Sequence, residues 1–216
     1  MAIMFRIAFL FALVTTLLSA LLLTAVRVRE YAPETVWLAD GCALPCWRDI
    51  QPGVTRSETA LTRLYAMADV RDVAVTLTSV SIDGGTSYVN WRWRGSHDDI
   101  GGLFIIDRGR VREIFLNTPL RMGDLWLGLG IPAGGTVDYL FSMSGKVEVI
   151  DTAAYPAYGL SAITYVGCPM RLPRLWTSTV YIWLRETNDG RFIYDPYSAY
   201  LTDLIQSFST GGRAYC

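Results

Sequence analysis

Four cysteines and a single histidine are the residues of this chain best suited to covalent or acid-base chemistry. Cys42 and Cys46 stand in Gly41-Cys42-Ala43-Leu44-Pro45-Cys46-Trp47, where a Pro-bent turn could bring two Cα atoms within the ~4.4–6.8 Å that a disulfide needs. The chemistry such a pair could perform is thiol-disulfide exchange. The spacing is CxxxC rather than CxxC, and no strand is read leading into a helix at the first cysteine, so a structural bridge is favoured and exchange is the alternative. Pairing Cys42 with Cys46 leaves Cys168 for Cys216, a long-range bridge that would tie down the C-terminus. His97, followed by Asp98 and Asp99, raises a metal ligand or general base. One histidine cannot build a His-rich zinc site, no G-x-S-x-G turn accompanies it, and the cluster reads as a solvated hairpin loop. Gly84-Gly85, Gly134-Gly135 and Gly211-Gly212 lack the GK[ST] ending of a phosphate loop and read as turns. No catalytic residue, metal or cofactor is assigned.

Binding chemistry is better represented, with seven Trp and twelve Tyr. Strand alternation in Val89-Asn90-Trp91-Arg92-Trp93-Arg94 places Trp91 and Trp93 on one face and Arg92 and Arg94 on the other. In Val180-Tyr181-Ile182-Trp183-Leu184, Tyr181 and Trp183 oppose three aliphatic residues. If that aliphatic face meets helices, Tyr181 and Trp183 look outward, and Tyr, Trp and Arg are the types enriched at binding hot spots. The candidate binding residues are therefore Trp91, Trp93, Arg92, Arg94, Tyr181 and Trp183. Core packing is the competing reading, above all for Trp91 and Trp93.

The elements that must position these residues follow from periodicity and turn chemistry. Pro52-Gly53-Val54-Thr55 predicts a turn into a helix capped by Thr55, with Glu58 completing a capping box and Ala60, Leu61, Leu64, Met67 and Ala68 as its apolar stripe. Strands are predicted at 73–80, 87–94, 103–107 and 111–116. The order then restarts at Leu120-Arg121-Met122-Gly123-Asp124, with a helix to Leu129 and a stop at Gly130-Ile131-Pro132. Strands are predicted at 137–143, 146–151, 160–166 and 179–185, and a C-terminal helix at 196–208. The expected fold is α+β, with short helices on one face of antiparallel sheet and a tandem helix-plus-meander repeat.

Composition bounds the function classes. Hydrophobic residues make up 51% and charged residues 18% of the 216, which excludes a solvated disordered chain. A net charge of −1 without a long basic run argues against nucleic-acid binding. Ile7 to Val26 is twenty uncharged residues, at ~1.5 Å per residue the hydrocarbon thickness, and it reads as an uncleaved transmembrane anchor because no small-x-small site follows. All four cysteines lie after it, which fits an oxidising compartment and places 31–216 outside the cytoplasm. The expected organisation is a cytoplasmic tail (1–6), the anchor (7–26), a linker with the first cysteines (27–49), and two helix-plus-sheet units (50–118 and 119–216). The expected partners are the membrane, through Ile7 to Val26, and a protein or peptide; a non-enzymatic module is favoured.

The Pro52-Gly53-Val54-Thr55 helix start with Leu61 and Leu64, and the Met122-Gly123 helix with Leu129-Gly130-Ile131-Pro132, resemble the G-x-T…L-G-x-P signature of the SmpA/OmlA (BamE-like) and β-lactamase-inhibitor-protein-like fold. That resemblance covers about residues 50–185 and implies helical pairs packed on antiparallel sheet, some members being tandem. The first helix lacks the Leu-Gly-x-Pro ending, since Tyr65-Ala66-Met67 follows Leu64. The stretch Ala43 to Leu64, with Tyr155-Pro156-Ala157-Tyr158-Gly159-Leu160, is similar to uncharacterised membrane-anchored bacterial proteins with a PCW…PG-T opening. No functional residue is carried over from either.

Overall fold

Antiparallel pairing merges the strands into one sheet, and buried positions alternate with more exposed ones most regularly along the strand Thr179–Arg185. The computed structural model describes residues 6, 13–19, 42–77, 85–95, 100–141, 146–187 and 194–209. The strands are β1 (Val70–Leu77), β2 (Thr86–Trp93), β3 (Ile100–Asp107), β4 (Arg110–Arg121), β5 (Gly134–Phe141), β6 (Val147–Tyr155), β7 (Leu160–Gly167), β8 (Thr179–Arg185) and the short β9 (Asp195–Pro196). Their spatial order is β1-β2-β3-β4-β8-β7-β6-β5-β9. Each half is a four-stranded meander, and the halves join through their last strands, with Ile114 opposite Leu184, Phe115 opposite Trp183 and Leu116 opposite Ile182. The expected α+β class with antiparallel sheet is what the chain adopts. Residues Leu38–Cys216 form one compact unit, and the expected junction between 118 and 119 falls inside β4.

Among the described residues from 42 onward, the helices that accompany the sheet are α1 (Ser57–Ala66), α2 (Met122–Leu129), α3 (Leu172–Thr177) and α4 (Tyr197–Ser209). In α1 the buried Ala60 and Leu64 face inward, and Glu58 in the first turn and Arg63 in the last complement the helix dipole. Thr55 does not cap this helix. Its hydroxyl accepts the Gln51 N–H at 2.8 Å and so closes the preceding turn, and α1 starts two residues later with Arg56 at the N-cap. Met67 and Ala68 of the expected stripe lie beyond its end. At α2 the carboxylate of Asp124 accepts the Arg121 N–H at 2.9 Å, a cap supplied from the third helical residue.

The core lies between the helices and one sheet face, where Val111, Ile114, Leu116, Leu120, Val180, Ile182, Leu184, Leu160 and Ala162 are buried. Gly134 and Gly135 are not a turn but the start of β5, paired with Ala154 and Ala153. Tyr200 of α4 packs over Gly135, where a Cβ would meet both its ring and the Thr152 carbonyl. The segment before α1 is built into the core as well. Trp47 and Ile50 are fully buried and bridge each other, and Pro45 seats against Gly159, whose φ of +59° and crowded Cβ direction both exclude a side chain. The sequence did not announce α3, β9 or the 3-10 turn Pro156–Tyr158.

Residues 13–19 are helical; the remainder of the expected anchor Ile7 to Val26 lies outside the described residues, as do His97, Asp98, Asp99, Gly84, Gly211, Gly212 and Cys216. Among the described residues no helix is long and apolar enough to cross a membrane.

Candidate functional site on the open sheet face

Because side chains alternate along β8, burying Val180, Ile182 and Leu184 turns Tyr181, Trp183 and Arg185 to the opposite face. Phe115 and Asn117 of β4 and Ile163 and Tyr165 of β7 point the same way and are half-buried or exposed. No described helix covers this face.

Its centre is aromatic and ordered by cross-strand contacts. Phe115 and Tyr181 stack with centroids 5.6 Å apart, Trp183 meets Phe115 edge-on at 6.3 Å, and Tyr165 meets Tyr181 edge-on at 5.5 Å. Such offset and edge geometries add ~0.5–1.5 kcal/mol per pair beyond burial. The Arg185 guanidinium lies 3.8 Å over the Trp183 ring, a cation–π contact.

A carboxylate holds this group together. Glu113 lies on the same face yet is only 6% exposed. It accepts the Trp183 indole N–H at 2.8 Å and forms ion pairs with Arg185 at 3.7 Å and Arg112 at 3.5 Å. Burial of a carboxylate is tolerated when charges and donors surround it in this way. Glu113→Ala is expected to destabilise the domain by ~1–3 kcal/mol, since it removes the acceptor of a half-buried indole N–H and a carboxylate partner of both Arg112 and Arg185. Chemical denaturation checks this, and an unchanged midpoint would contradict it.

The candidate residues divide between the two faces. Tyr181, Trp183 and Arg92 reach the open face, whereas Trp91 is 1% exposed and belongs to the core. Trp47, Trp91, Trp93 and Phe104 form a single aromatic cluster there, with Trp47 and Trp91 stacked at 5.6 Å. Trp93 also donates its indole N–H to the Asn117 carbonyl at 2.9 Å. Thus the pair Trp91 and Trp93 serves packing, and Arg94 sits exposed just past the end of β2. Glu113, Phe115, Tyr165 and Arg185 were missed. Arg185 was within reach, because it continues the alternation of Tyr181 and Trp183; Phe115 needed the register of β4 against β8.

Cys42 and Cys46 are disulfide-bonded, with Cα atoms 5.7 Å apart. Cys46 is buried, and the Asp49 N–H donates to the Cys42 sulfur at 3.3 Å. Neither cysteine opens a helix. The nearby Arg48 cation is committed elsewhere, through paired 2.8 Å bonds to Asp69, and these bonds hold the Asp69 carboxyl below its ordinary range. Cys168 is also disulfide-bonded; Cys216, its expected partner, lies outside the described residues. Among the described residues no group of three or more His, Cys, Asp or Glu could hold a metal ion.

Fold and site together define a class: an α+β domain whose antiparallel sheet is packed on one face and presents an aromatic surface on the other. No protein-family model, curated protein or solved structure matches the chain.

Proposed function

We propose that this chain is a single-pass, membrane-anchored, extracytoplasmic interaction module, non-enzymatic, whose open sheet face binds a protein, a peptide or other envelope material. The carrying observation is the preassembled surface of Phe115, Tyr165, Tyr181 and Trp183, with Arg185 stacked on it. Aromatic side chains have few rotamers to lose on binding, an arginine already stacked on a ring is partly ordered beforehand, and Trp, Tyr and Arg dominate hot spots. A helix followed by a four-stranded meander occurs in each half, the second interrupted by α3 between β7 and β8, and with the meanders joined at β4 and β8 this order supports reading the halves as a tandem repeat of the kind that the BamE-like and β-lactamase-inhibitor-like resemblance implies. Redox exchange at Cys42 and Cys46 draws less support, since Cys46 is buried, neither cysteine opens a helix, and the neighbouring Arg48 guanidinium is paired with Asp69.

The test is capture of envelope components by the full chain and by its Tyr181→Ala and Trp183→Ala variants. Each is expected to weaken capture roughly 30-fold or more, the effect of a hot-spot residue, with the circular dichroism of the sheet unchanged. Undiminished capture would refute the reading, and so would unfolding in both variants.

A further inference from the structure

A surface helix ordinarily turns a polar face to water. Helix α2, Met122-Gly123-Asp124-Leu125-Trp126-Leu127-Gly128-Leu129, does not, since Asp124 is its one charged residue. Its inner side chains Met122 and Leu125 are buried, while Leu127 and the following Ile131 are 54% and 68% exposed. Helix α3 extends the same surface. Its Leu175 is buried, and Leu172 and Trp176 are exposed. The two helices are locked together: the Trp176 ring lies against Gly123, where a Cβ would collide with it, and Trp126 meets Trp176 edge-on at 6.0 Å.

The charge around this surface differs in sign from that of the domain. Residues 31–216 carry sixteen basic and nineteen acidic side chains, a formal −3. Segments 121–131 and 171–177 carry three arginines (Arg121, Arg171, Arg174) against one acid (Asp124), a local +2. All three arginines are exposed. Aliphatic tips, paired indoles and a basic border are the chemistry that an anionic bilayer surface accepts, with the tips at the headgroup–acyl boundary and the guanidinium groups on phosphates.

We propose that the α2–α3 surface is a bilayer-docking site, seating Leu127, Ile131, Leu172 and Trp176 in an anionic leaflet with Arg171 and Arg174 on its phosphates. The inference rests on the membrane-bound reading above for the presence of a bilayer, and it adds orientation. The helices pack on the core side of the sheet, as the bond from Tyr155 to the Gly130 carbonyl at the end of α2 illustrates, so docking through α2 and α3 turns the aromatic open face away from the lipid.

The experiment reconstitutes the full chain into vesicles of phosphatidylcholine alone or with phosphatidylglycerol, with brominated acyl chains that quench tryptophan at contact. Retention after carbonate washing reports the anchor separately. The expected result is quenching that falls sharply in the Trp126→Phe/Trp176→Phe variant. In Arg171→Gln/Arg174→Gln, association of the surface with the anionic vesicles should weaken by ~5-fold per arginine, with no change on phosphatidylcholine. Equal quenching in the wild type and the double-Phe variant overturns the proposal, whether or not the chain is retained. Retention with equal quenching leaves the anchor reading standing; lost retention with Trp126- and Trp176-dependent quenching supports docking and removes the anchor. A second copy as the occupant would appear as a concentration-dependent dimer without lipid quenching, which also overturns it.

Discussion

Raising the pH from about 4 to about 8 is expected to cost the domain roughly 4 kcal/mol of stability through Asp151 alone. Asp151 points inward from β6 and is fully buried beneath α4. One carboxyl oxygen accepts the Tyr200 hydroxyl at 2.9 Å, and the other has no hydrogen-bond partner among the described residues. The groups that interact with it electrostatically are Tyr155 of its own strand and Tyr200 of α4, and no cation pairs with it among the described residues. Burial therefore pushes this carboxyl from 3.8 up to about 7, with the Tyr200 hydrogen bond opposing the rise. Burial pushes the Tyr155 and Tyr200 hydroxyls upward, and the neighbouring Asp151 charge adds to the rise. Between 3.8 and about 7 the folded chain keeps a proton that the unfolded chain has lost, so stability falls as pH rises through this window and levels off above it. Asp151→Asn removes the ionisation while retaining an acceptor for Tyr200. Its stability should match the wild type's near pH 4 and exceed it by a few kcal/mol at pH 8, read by chemical denaturation across pH. Parallel curves for the two proteins would rule this out.

Trp47→Ala should cost ~3–5 kcal/mol, a large share of the ~5–15 kcal/mol by which a domain of this kind is stable. The ring is fully buried. It stacks on Trp91, meets Trp93 and Phe104 edge-on at 6.1 and 6.2 Å, and carries the Arg48 guanidinium 5.3 Å from its centroid. Removing it opens a cavity between β2, β3 and the segment before α1, and it loosens Arg48, whose bonds to Asp69 tie that segment to the residue preceding β1. Hydrogen exchange of β2 and β3 should accelerate together with the fall in the denaturation midpoint. Trp47→Phe keeps a ring in the cluster and should lose less. A Trp47→Ala protein as stable as the wild type would mean that the cysteine segment is an appendage of the sheet and not part of its core.

Both effects come from positions where sequence patterning had little to say. Asp151 closed an expected strand at 146–151, and only the continuation of β6 to Tyr155 and the arrival of α4 surround it with apolar atoms. Trp47 read as a neighbour of the cysteines, because a single aromatic in a loop has no period. Where a period exists, the chain was legible. Strand β8 was read at its observed bounds, Thr179–Arg185, and α4 begins and ends within a residue of the expected 196–208. Helix α3 escaped because six residues opening with Leu-Pro are too short to show a helical repeat.

The division follows from the range of the interactions. Alternation, Gly-Pro stops and the apolar stripes of α1 and α2 are local, and from them the sequence determined an α+β chain of two helix-plus-strand runs with the inward side of β8 aliphatic. Which of the two faces of β2 is buried is not local, since both carry large side chains; the insertion of Trp47 decided it for Trp91 and Trp93 and sent Arg92 outward. Likewise the joining of β4 to β8 sets Phe115, Glu113 and Arg185 around Trp183, with Glu113 seventy positions before the indole it binds. Cross-strand neighbours are selected by the register that buries both aliphatic faces at once, and that choice is made only when the two meanders meet.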